Sequence, residues 1–148
     1  MSAETDMIKL YSTRILALAS QIPHTARLDA PDGTARKRSP LCGSTVTVDV
    51  TLADGRIAAF GQDVKACALG QAAASVVGDA IVGLDRTAVQ TGRDQLHAML
   101  TAHGPAPTAP FDGLAVLEPA RDYKNRHASI MLAFDATLAA LDDATATA

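Results

Sequence analysis

Between Thr45 and Leu52 the polar Thr45, Thr47, Asp49 and Thr51 alternate strictly with Val46, Val48, Val50 and Leu52. A period of two is the mark of a strand with one buried face, whereas a helix would scatter these valines around its circumference. Asp54-Gly55 then supplies the positive φ angles of a tight hairpin turn. Arg56 to Val64 returns as a second strand, with Gly61 as a candidate bulge. Arg36 to Leu41 fits beside the hairpin as a third strand, ended by Pro40 and by a turn at Cys42-Gly43-Ser44.

Outside this segment the period changes. Asp6 or Thr5 can cap a helix whose Ile8, Tyr11, Ile15, Leu18 and Ile22 form one stripe, ended by Pro23. His24 to Ala35, with Pro31-Asp32-Gly33 as a turn signal, reads as a connection over the surface. After Lys65, Ala68, Leu69, Ala72, Ala73, Val76, Val77, Ala80 and Ile81 make a broad apolar face on a small-residue helix that Gly83 can stop. Asp85 opens a further helix running to His103, with Leu96, Met99 and Leu100 inward and Gly104 as its stop. Three prolines between Pro105 and Pro110 exclude regular structure there. A last helix begins between Pro119 and His127 and carries Ile130, Met131, Phe134, Leu138 and Leu141, and 142–148 reads as a frayed tail.

Helix, small antiparallel sheet, then a run of helices, without alternation, predicts an α+β fold: a three-stranded sheet with helices packed mainly on one face. The 148 residues form one domain, 1–148, with no repeat. Thirteen basic against 16 acidic side chains, with 3% aromatics, leave neither a basic surface nor stacking platforms, so nucleic acid is not expected as a partner. No apolar run reaches the length of a membrane span and the first residues are acidic, which points to a cytoplasmic protein with no membrane partner.

Cys42 and Cys67 lie 25 positions apart, each at the end of an element. Two buried small hydrophobes are the plain reading of such a pair. Their surroundings favour another. Gly43 permits a turn that exposes its neighbours, and a cysteine in the first turn of a helix faces unpaired N–H groups and the positive end of the helix dipole. Lys65 adds positive charge two residues from Cys67. Thiols so placed suit a soft metal or sulfur transfer.

The pattern resembles the NifU-like (IscU-type) iron-sulfur cluster assembly scaffolds over nearly the whole chain. It rests on Leu41-Cys42-Gly43 before an alternating strand, on Cys67 within Val64-Lys65-Ala66-Cys67-Ala68-Leu69-Gly70-Gln71, and on Leu117-Glu118-Pro119-Ala120-Arg121 leading to Arg126-His127-Ala128-Ser129-Ile130. The resemblance implies an α+β fold in which three cysteines and a nearby Asp or His hold zinc or a nascent [2Fe-2S] cluster. This chain departs from that pattern. Ser44 stands where the family usually has Asp, and the third Cys is absent. His127 either replaces that Cys or matches the His before it, with Ala128 then in the Cys position.

Cys42, Cys67 and His127 would form an S2N ligand set, which zinc accepts with a fourth ligand and which suits transient rather than permanent cluster binding. Ser44, Lys65, Lys124 and Arg126 are expected beside the ligands or at a partner contact. The resemblance implies a non-catalytic scaffold or carrier whose partners are a cysteine desulfurase and apo iron-sulfur proteins. The alternatives are a zinc-dependent acceptor of sulfur from a cysteine desulfurase, and a degenerate member that keeps only a partner-binding role. His24, His97 and His103 read as ordinary histidines and Arg36-Lys37-Arg38 as a solvated strand edge. No hydrolase elbow or nucleotide loop is present around Ser44 or Gly70.

Overall fold

The computed structural model describes residues 12–41 and 43–146. Strands β1 (Gly33–Arg38), β2 (Thr45–Ala53) and β3 (Arg56–Lys65) form an antiparallel sheet in the order β1-β2-β3. Helices α1 (Thr13–Ala19), α2 (Ala68–Ile81), α3 (Arg86–Thr101) and α4 (Lys124–Ala146) pack to one side of it, with a 3-10 segment at Asp112–Asp122 leading into α4. The α+β architecture is the one expected.

The hairpin forms where the alternation places it. Asp54 and Gly55 take φ of 54° and 77°, the left-handed pair that a two-residue turn requires. Val46, Val48 and Val50 are buried beneath α4, in a core that also takes Leu69, Val77, Ile130, Phe134 and Leu141. Phe111 and Phe134 meet edge to face at 5.0 Å, one of the few aromatic contacts in an otherwise aliphatic interior. Ser12 caps α1 by accepting from Ile15 N, and Ile15 and Leu18 face inward. The expected helix start at Thr5 or Asp6, with Ile8 and Tyr11, lies outside the described residues.

Four local expectations are corrected. The first strand spans Gly33–Arg38 rather than Arg36 to Leu41: Gly33 lies against the backbone of Ala140 and Ala144, where no side chain fits, and the chain turns back from Ser39, whose N–H donates to Ser44 O. The ladder irregularity falls between Thr51 and Leu52, not at Gly61, whose missing side chain instead admits Ala26 O and Leu28 N. Helix α3 ends at Thr101, and His103, at φ 53°, takes the left-handed position ahead of Gly104. The last helix continues to Ala146 instead of fraying from 142, since Ala144 is buried and Asp143 accepts a hydrogen bond from Thr34 N at 2.9 Å.

The connection before β1 does more than cross the surface. It lies over the face of the sheet opposite the helices, where Gln62 N donates to His24 O and Leu52 N to Asp32 Oδ2. Beneath it Asp49 is fully buried. Its carboxylate accepts from Arg27 Nε at 2.6 Å, Arg27 Nη2 at 3.0 Å, Thr34 Oγ1 at 2.7 Å and Leu28 N at 3.1 Å. The hydrogen bond from Arg27 above all, then those from Thr34 and Leu28, outweigh desolvation and hold Asp49 below the usual carboxylate range.

Candidate functional site

The pairing of Thr45 with Lys65 brings the start of β2 and the end of β3 to one end of the sheet. The loop into β2 is closed by two backbone bonds, Ser39 N to Ser44 O at 2.8 Å and Gly43 N to Ser39 O at 3.0 Å. Gly43 has φ 69°, and Leu41 is 73% exposed, a large apolar side chain standing in solvent beside the loop. Cys42 itself lies outside the described residues.

Cys67 occupies the N-cap of α2 in an extended conformation. Its carbonyl accepts the first bond of the helix, from Gln71 N at 2.9 Å, while its side chain makes no capping bond and is left to face α4. There Cys67 Sγ lies 3.5 Å from Ser129 Oγ, and Ser129 donates to Ser44 Oγ at 3.1 Å. Both serines are buried. Gly70, one turn into α2, leaves the space that Ser129 occupies, since a Cβ there would stand 2.6 Å from the hydroxyl.

Ser129 has a single hydrogen to give. When it donates to Ser44, its oxygen is the acceptor for a Cys67 S–H. If the sulfur loses its proton or takes a metal, the hydroxyl can turn and donate to sulfur. The cluster can therefore serve either state of Cys67 by rotating one O–H bond. Reading the sequence for thiols and imidazoles missed Ser129; the small Gly70 opposite it was the available signal.

His127 is half-buried, and its Nε2 donates to Ala120 O at 2.9 Å, leaving Nδ1 as the lone-pair nitrogen of the neutral ring. Ala128 lies between His127 and Ser129 on α4, so the two side chains project to either flank of a methyl group. Lys65 and Lys124 are exposed and Arg126 is half-exposed. Among the described residues no three His, Cys, Asp or Glu side chains gather as a metal site.

The chain aligns at 40% identity and a TM-score of 0.93 with the crystal structure of a nitrogen-fixing NifU-like protein (N-terminal) from Brucella abortus, over 97% of its own length and 99% of that chain. It belongs to the NifU-like family. The same NifU-like fold recurs in a putative iron-sulfur cluster assembly scaffold protein for the SUF system from Fervidobacterium islandicum, at 16% identity and a TM-score of 0.79, covering 90% of this chain and 98% of that one. Neither a family model nor a curated protein matches the chain. Among the described residues no helix is long and apolar enough to cross a membrane.

Proposed function

We propose that this NifU-like protein is a cytoplasmic iron-sulfur cluster assembly scaffold or carrier, a binding protein rather than a catalyst. Iron and sulfide, or zinc, are its cargo. Cys42, Cys67 and His127 are the ligands, a cysteine desulfurase supplies the sulfur, and apo iron-sulfur proteins receive the product.

The observation that supports this best is the Ser44–Ser129–Cys67 cluster. Ser44 is two residues from Cys42 in chain, and Ser129 is two residues from His127, so segments carrying all three proposed ligands meet at one end of the sheet. The hydrogen bond from His127 Nε2 to Ala120 O favours the role of ligand, because a metal-binding imidazole is commonly oriented by a carbonyl on its other nitrogen. The His127 ring faces Ala120, on the side of the last helix away from Ser129, so joining Cys67 in a ligand set requires this turn of the helix to rearrange. Two thiolates and one imidazole leave a fourth position for water, substrate or a partner residue, which suits cargo that must leave again. Ser44, Lys65, Lys124 and Arg126 line the approach to the ligands or the partner contact.

Anaerobic reconstitution with iron and sulfide, followed by visible absorption and metal analysis, tests the proposal. A cluster chromophore in the parent protein that is lost in Cys42→Ala, Cys67→Ala and His127→Ala is the expected result. A His127→Ala variant that assembles as well as the parent removes His127 from the ligand set, and no chromophore in the parent overturns the scaffold reading.

A further inference from the structure

The end of α3, the end of the 3-10 segment and the first turn of α4 enclose a groove of about 510 Å3 on the flank of α4 that carries His127. Arg121, Lys124, His103 and His127 line it, with Thr101 as a hydroxyl and Asp122 as the acidic side chain. Lys124 and His127 are the first and fourth residues of α4, so the groove opens at the positive end of a 23-residue helix.

Arg121 holds donors in this wall that its partners leave over. Its Nη1 lies 3.3 Å from His103 Nδ1, which can only accept there, and Glu118 comes no closer than 3.8 Å. Its Nε is buried with no hydrogen-bond acceptor among the described residues. A guanidinium offers five donors in a planar fork matched to carboxylate and phosphate, and most of this one is unused. His103 reaches the groove from a left-handed backbone position, φ 53°, uncommon for a residue with a side chain. Cationic and hydrogen-bonding groups from three elements thus converge on a space far larger than a single water, opposed by the exposed Asp122 in the lining and by Glu118 behind Arg121.

We propose that this groove binds a small metabolite through its oxyanion, a phosphate or a carboxylate, gripped by Arg121 and Lys124. Neither Arg121 nor Lys124 is a proposed ligand of iron or zinc, but the groove shares His127 with the proposed ligand set, so the two readings are separated by testing this one without metal. An anion held there would also touch the flank from which His127 is oriented.

The test is a titration of the metal-free full chain with inorganic phosphate and, separately, acetate, at fixed pH, with sodium chloride as the ionic-strength control and the four histidine rings followed by NMR. Saturable shifts at His103 and His127 in the millimolar range, with His24 and His97 unmoved, are expected. Arg121→Gln should weaken the binding at least tenfold and Lys124→Gln several-fold. The stronger of phosphate and acetate names the oxyanion. Shifts that chloride reproduces, or that move all four rings alike, overturn the proposal, as does undiminished binding in both variants. Because no metal is present, failure here leaves the cluster reading standing, and loss of cluster assembly leaves this one standing.

Discussion

Two buried polar clusters lie in this small domain, and they are built in opposite ways. Around Asp49 every acceptor lobe is used: a bidentate guanidinium, a hydroxyl and a backbone N–H all point at one carboxylate. Around Cys67 a thiol, two hydroxyls and long contacts of 3.1 and 3.5 Å make a chain whose hydrogens can be reassigned. The first arrangement has one good state and fixes the segment before β1 onto the sheet. The second has at least two, which is what a group that must bind and release cargo needs. Complete satisfaction marks the structural cluster, and leftover freedom is what the proposed ligand site would require.

The contrast breaks most sharply at the thiols. Cys67→Ala is expected to abolish chromophore formation while moving the urea midpoint little, a dissociation of function from stability that absorption and a melt measure on the same sample. Asp49→Ala should do the reverse. Stranding Thr34, Leu28 and the Arg27 fork should cost about 2–3 kcal/mol in denaturant unfolding, with reconstitution intact wherever the protein stays folded.

Acid sharpens the same comparison. Asp49 has its folded-state pKa depressed, so its contribution is fully present above the ordinary carboxylate pKa and is lost as pH falls through the lower folded value. Unfolding free energy should therefore decline below about pH 4, and Asp49→Asn should flatten that decline while being less stable than the parent at neutral pH. The smallest effect belongs to Ser129→Ala: about 1 kcal/mol or less in stability, but roughly tenfold weaker zinc retention against a chelator, as loss of a partner behind a metal ligand generally gives. Equal zinc retention in this variant and the parent would reduce Ser129 to packing.

The same two clusters show what a linear reading can carry. The hairpin was legible because both its signals are local, the Thr/Val alternation and the Asp54-Gly55 turn. The role of Asp49 was not. On a strand of alternating polarity it looks like one more solvent-facing residue, and only the return of Arg27 and Leu28 over that face buries it. The start of β1 was hidden for a similar reason: Gly33 signals a turn locally, and its use as a contact surface for Ala140 and Ala144 is set by residues more than a hundred positions away. At the candidate site the cysteine loops and the His-Ala-Ser segment were legible as motif. Ser129 was not, because a hydroxyl gains its role only from what packs against it.

Helix α4 has a consequence at its far end. There Asp143 takes the backbone N–H of Thr34, and Ala144 lies against Gly33, so the last turn closes the open side of β1 at its first residues. Further along that strand the task passes to Arg36, Lys37 and Arg38, whose like charges repel a neighbouring copy. The β1 edge is therefore guarded against adding strands by a helix terminus at one end and by electrostatic repulsion at the other. Shortening the protein by its final helical turn would uncover a template for self-association while leaving the cysteine end of the molecule untouched.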